Sequence, residues 1–198
     1  MATLSDSIVV GTVPHDALVR ATHWINALSF LGLLVSGIAI LLAHPRLYWG
    51  ETGSLGTPSL VDLPLPFVLT GQSGWGRYLH FLSAWVCVLN GTFYLLGSKP
   101  RFAAYQRLQR VAYSVVVFAL FPLMIWTGLA MSPAIASVFP ALVDDLGGQQ
   151  SARTIHFFVA SALVLFLLGH VFMVFRAGFV NLVRGMITGH MAATKEHA

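Results

Sequence analysis

The sequence predicts an all-α integral membrane protein built as a four-transmembrane-helix bundle, and three observations lead there. Hydrophobic residues make up 57% of the chain and charged residues only 9%, with a mean hydropathy of +0.77, a balance foreign to water-soluble domains. Four apolar stretches reach the roughly 20 residues needed to cross a hydrocarbon core about 30 Å thick. Basic residues cluster in alternate connections between those stretches, as a membrane topology signal does.

The spans are expected at 24–43, 78–96, 111–131 and 154–175, inside a single membrane domain covering residues 1–198, with outer loops at 44–77 and 132–153. The apolar stretch from Leu60 to Thr70 carries Asp62, Pro64 and Pro66, so it reads as part of a loop lying in the membrane interface. The first 22 residues have no apolar core of their own, and the run that follows continues to full membrane length. A retained first span is therefore expected, not a cleaved secretory signal. The third span contains Pro122, which removes a helical donor and should bend the helix.

With the amino terminus inside, the inner segments hold Arg20, Lys99, Arg101, Arg107, Arg110, Arg176, Arg184 and Lys195, and the outer loops hold Arg46, Arg77 and Arg153. That excess favours both termini in the cytoplasm of a multi-pass membrane protein. A sequence pI near 9.6 thus reflects lipid and topology, and no nucleic-acid partner is expected. Cys87 is the single cysteine, which excludes an internal disulfide framework and cysteine-based metal clusters. No CxxCH occurs, so no covalently attached haem is expected.

Four of the eight histidines, His23, His80, His156 and His170, fall within or at the ends of spans, and ionisable groups in a membrane point to function. His15, His190 and His197 lie in polar tails, and His44 closes the first span. Fourteen residues separate His156 from His170. At 100° per residue they return to within about 40° of one face, displaced by about 21 Å along the axis. His80 lies at the depth of His156, and His23 at the depth of His170.

Two bis-histidine sites stacked within a helical bundle suit two haems b as cofactors, with these four histidines as axial ligands. Imidazoles on both sides leave iron no open position, which favours electron transfer. Zinc is a weaker reading, since two histidines do not complete a tetrahedral shell; hydrogen bonding between helices is the alternative without a cofactor. Arg20, Arg77 and Arg153 each precede a candidate ligand by three residues, in RATH, RYLH and RTIH. Each shares a face with its histidine, one turn nearer water, where a planar guanidinium can meet a haem propionate or a lipid headgroup. Gly37 and Gly91 lie on the faces of His23 and His80 but at the opposite depth, so a flat macrocycle could approach the backbone there. Glycine is also common at ordinary membrane helix contacts.

RxxHW in the first span, RxxH opening the second and two histidines fourteen apart in the last resemble the bacterial cytochrome b561 superfamily over nearly the whole chain, from Arg20 to Arg184. That superfamily includes the b-type cytochrome subunits of nickel-iron hydrogenase, formate dehydrogenase and thiosulfate reductase. The resemblance implies His23 and His170 on an inner haem and His80 and His156 on an outer one. It also implies electron exchange between a quinone pool and a periplasmic redox protein. The stretch HPRLYWGETG, 44–53, is similar to the thiosulfate reductase cytochrome b-like branch, whose partners are often molybdenum-cofactor oxidoreductases. YQRLQRVAY, 105–113, looks like the segment bordering the quinone site in relatives, making Tyr105, Gln106, Gln109, Arg110 and Tyr113 candidate quinone contacts. A positive-inside anchor with interfacial tyrosines would have the same residues.

The expected role is an electron-transfer subunit of an oxidoreductase, with no catalytic residue of its own. One competing reading is a self-contained superoxide:quinone oxidoreductase, with Arg46, Arg77 and Arg153 attracting the anion. Another is a haem-free transporter or assembly factor whose histidines carry protons.

Overall fold

The computed structural model describes residues 11–12, 16–53, 56–64, 73–97 and 107–191. Its elements, in chain order, are β1 (Gly11–Thr12), α1 (Ala17–Ala43), β2 (Arg46–Leu47), β3 (Val61–Asp62), α2 (Ser73–Gly97), α3 (Arg107–Val115), a π-helical turn (Val116–Leu120), α4 (Phe121–Ala130), α5 (Pro133–Ala136), α6 (Ala141–Asp144), α7 (Gln149–Arg176), α8 (Phe179–Thr188) and β4 (His190–Met191). Four helical stretches have the length and apolarity to cross a membrane: Ala17–Ala43, Gly74–Gly97, Arg110–Ala130 and Gln149–Arg176.

Three of these helices begin several residues before the expected spans. Hydropathy marks only the part of a helix that lipid requires, whereas helix starts are set by polar caps. Asp16 caps α1, its Oδ1 accepting the Val19 amide at 2.9 Å, which satisfies one of the donors that a helix start leaves free. Before α7, Gly147 and Gly148 adopt φ of +78° and +111°. A β-carbon on Gly148 would lie 2.6 Å from the Gly50 carbonyl, so glycine is required there on both counts.

Burial is reversed from that of a soluble protein. The buried positions include Thr22, Ser29, Ser36, Ser83, Asn90, Thr127, Ser151 and Thr154, while Leu28, Tyr78, Leu96, Phe118, Leu165 and Val180 are exposed. Small residues let helices approach closely and large apolar ones face lipid, as membrane association requires. The buried hydroxyls of Thr22, Ser29 and Thr127 and the half-buried one of Ser161 donate back to the carbonyl four residues earlier, which satisfies them without water.

The described helices group into two compact units. One comprises the described residues within Met1–Val35, Tyr78–Pro100 and His170–Ala198, the other those within Ser36–Arg77 and Arg101–Gly169. In the first unit, Asn90 of α2 donates to the Thr22 carbonyl and to Asn26 Oδ1, both at 2.8 Å, and the Trp24 indole donates to the Met186 carbonyl of α8 at 3.1 Å. β1 pairs antiparallel with β4, Thr12 opposite His190. His190 thus sits in a short ladder, although its side chain is exposed as expected of a solvated histidine.

In the second unit, Ala130, Val143, Leu146 and Ala152 form a small apolar core joining α4, α6 and α7. β2 pairs antiparallel with β3, so the start of the stretch read as an interfacial loop is a strand; residues 65–70 lie outside the described residues. Arg46 and Asp62 form an exposed ion pair across this ladder at 3.1 Å, and the carboxylate holds the Arg46 guanidinium further above its usual range. Pro122 is expected to bend the third span; in the structure a π-helical turn ends two residues before it.

Candidate functional site

Within the first unit, α1 and α7 bring His23 and His170 together, their ring centroids 6.4 Å apart and their planes inclined at 49°. Two imidazoles bound to opposite sides of one metal, with bonds of about 2 Å, hold their centroids roughly 6 Å apart. The spacing therefore fits two side chains that would hold one metal between them. Trp24 packs edge-on against His23 at 5.4 Å. The Asn90 bridge grips Thr22 and Asn26, which flank His23 in sequence, and so fixes the rotation of α1 about its axis.

Arg20 lies one turn before His23. Its Nε and Nη1 atoms are buried without a hydrogen-bond partner among the described residues, a costly state for charged donors. An anionic oxygen would satisfy them. Gly189, at φ +81°, closes over this guanidinium so tightly that a β-carbon would collide with it. On α2, a β-carbon at Gly91 would meet nothing within 4 Å, leaving its backbone open to a flat group. His80 belongs to the same unit, is half-buried and hydrogen-bonds the Leu33 backbone on α1.

In the second unit, His156 of α7 lies against α4. Its Nδ1 is 2.8 Å from Thr127 Oγ1, and its Cε1 is 3.7 Å from where a β-carbon on Gly128 would stand. Arg153, one turn earlier, donates to the His44 backbone carbonyl. Thr154 donates to the Tyr48 carbonyl at 2.6 Å, and the Gly50 amide donates to Ser151 at 2.8 Å. The segment 44–50 is thus tied to the first turns of α7. Gly37 is half-buried on α1, and Arg77 is exposed on α2.

Among the expected quinone contacts, Tyr113 packs edge-on against Phe166 of α7 at 5.6 Å, and Arg110 is exposed on α3. Gln109 is on the same helix, while Tyr105 and Gln106 lie outside the described residues. Among the described residues, no three His, Cys, Asp or Glu side chains converge on a metal site, which leaves the zinc reading without a ligand set. Thr127 and Asn90 were not anticipated. Asn90 had a signal, an amide deep in an apolar span; Thr127 had none, because a lone threonine reads as helix packing.

A profile of the prokaryotic cytochrome b561 family matches residues 14–189. The chain belongs to the prokaryotic cytochrome b561 family. It resembles a putative protein-methionine-sulfoxide reductase subunit, YedZ1, of Azospira oryzae, at 27% identity over 89% of this chain and 96% of the relative. A probable Ni/Fe-hydrogenase B-type cytochrome subunit of Cupriavidus necator is 25% identical over 96% of this chain and 90% of its own. The putative cytochrome YdhU of Escherichia coli is 30% identical over 80% of this chain and 66% of its own. No solved structure matches. This b561-family chain is a multi-pass membrane cytochrome b of electron transfer.

Proposed function

We propose that this cytochrome is the membrane electron-transfer subunit of an oxidoreductase, holding two haems b and linking a quinone pool to a periplasmic partner that carries a molybdenum cofactor. His23 and His170 ligate one haem, with Arg20 on a propionate. His80 and His156 ligate the other, with Arg77 and Arg153 beside it, and Gly37 and Gly91 admit the two macrocycles. The observation that carries this reading is the 6.4 Å spacing of the His23 and His170 rings, set one turn from the buried, unpartnered donors of Arg20.

Haem b supplies a one-electron carrier. A quinol oxidised near Arg110 and Tyr113, together with Tyr105, Gln106 and Gln109, releases two electrons and two protons; the electrons leave one at a time to the partner and the protons pass to water. The basic-residue pattern supports an inner-membrane protein with both termini in the cytoplasm. The segment 44–50, anchored to α7 through Ser151, Arg153 and Thr154, is the surface for the partner.

The superoxide:quinone reading has less support, because Arg46 is paired with Asp62 and Arg153 is engaged by His44. Membership of a cytochrome family removes the ground for a haem-free transporter. The test is rapid-mixing spectroscopy of the purified protein with a short-chain quinol. Reduction of haem by the quinol, with no reaction towards superoxide, is expected. Two low-spin haems that exchange no electrons with quinol or quinone would overturn the quinone half of the proposal.

A further inference from the structure

α4 brings Thr127 against His156, and the hydroxyl contacts there favour one arrangement of protons. Thr127 Oγ1 lies 2.8 Å from the Leu123 carbonyl and 3.1 Å from the Met124 carbonyl, and 2.8 Å from His156 Nδ1. A hydroxyl has one proton and two lone pairs, whereas carbonyl oxygens only accept. Were that proton given to Nδ1, both carbonyl oxygens would face the hydroxyl oxygen with no hydrogen between them, at a site where Thr127 is fully buried. The proton therefore goes to the α4 backbone, and the hydroxyl oxygen accepts from the imidazole.

We propose that Thr127 is the positioning residue of His156: it accepts the Nδ1 proton and so fixes the neutral tautomer in which Nε2 carries the lone pair that would coordinate haem iron. This rests on the reading of His156 as an axial ligand. An outer partner of this kind fixes the orientation of a ligating imidazole and raises its basicity, which favours the oxidised metal. A β-carbon on Gly128 would stand 3.7 Å from Cε1, in ordinary contact with the ring.

The π-helical turn Val116–Leu120 supports the arrangement. A π turn holds one more residue than an α turn, so every later residue of the helix is rotated by about 100° relative to an uninterrupted α-helix. Thr127 owes its direction towards α7 to that turn. The third span thus has a role beyond packing.

The test uses the purified full chain with haem bound, comparing wild type with T127V, T127A, T127S and H156A by haem-to-protein ratio, redox titration and electron paramagnetic resonance. T127V keeps the shape and removes the acceptor. Its expected behaviour is retention of both haems, with the midpoint potential of one raised as the oxidised-to-reduced equilibrium changes by up to about tenfold, which is about 59 mV for a one-electron couple. The resonance of that haem should shift, and T127S should restore both readings. Should T127V fail to accumulate, T127A reports the same loss of acceptor. H156A should lose one haem. If H156A loses a haem while both T127V and T127A titrate and resonate as wild type, Thr127 does not act on the ligand and the inference is overturned. If H156A leaves haem content and spectra unchanged, the ligand assignment itself is wrong, and the inference falls with it.

Discussion

His23 of α1 and His170 of α7 hold their imidazole rings 6.4 Å apart at an inclination of 49°. The proposed sharing of one iron would make the two side chains interdependent. H23A, H170A and the double variant should each lose the same single haem, so that the double is no worse than either single, as expected of groups acting as one unit. Haem content and the reduced-minus-oxidised spectrum check this; loss of different haems in the two single variants would separate the pair.

Arg20 and Gly189 should report on that same haem. R20L removes a charged donor set that the fold leaves buried and unpartnered, and haem retention should weaken by roughly tenfold. G189V should cost about 1–3 kcal/mol, since a branched side chain must take φ +81° and displace the guanidinium. Thermal unfolding and haem release on dilution measure the two effects. R20K should recover only part of the retention, because an ammonium lacks the planar fork.

Asn90 joins α2 to α1 through two hydrogen bonds at 2.8 Å. N90L should destabilise the protein by about 1–3 kcal/mol, chiefly by leaving Asn26 without its partner. Its melting temperature should fall, and the haem at His23 should be perturbed more than the other. N90D keeps the size but replaces a double donor with an acceptor-only group, and should be at least as harmful.

Pro122 should matter through the helix turn before it. P122A restores a backbone donor and removes the ring clash that disfavours a regular α-helix. If the π turn then closes to an α turn, Thr127 rotates away from His156, and the potential of one haem should rise as it does in T127V. Redox titration of P122A alongside T127V checks the coupling.

Much of this was legible in the sequence because lipid imposes simple demands. Apolar length gave the four spans, and the histidines stood out because an ionisable group in hydrocarbon needs a reason. The helix starts were harder. Asp16 and the Gly147–Gly148 pair set them through capping and backbone conformation, outside the apolar runs that hydropathy detects.

Tertiary partners were harder still. Thr127 bonds its own helix as any buried membrane threonine does, and only the fold brings its hydroxyl within hydrogen-bond distance of an imidazole. The close approach of Gly148 to Gly50 joins residues far apart in the chain and left no local mark. Arg20 was legible as an arginine one turn from a histidine, but not that its Nε and Nη1 are buried without a partner among the described residues or that Gly189 lies against it.

The most direct test of the two-haem arrangement is the haem-to-protein ratio and low-temperature spectrum of the purified wild type beside H156A and H170A. The account predicts two bis-imidazole haems in the wild type, with each substitution removing or perturbing a different one. A single haem, or two haems indifferent to both substitutions, would contradict it.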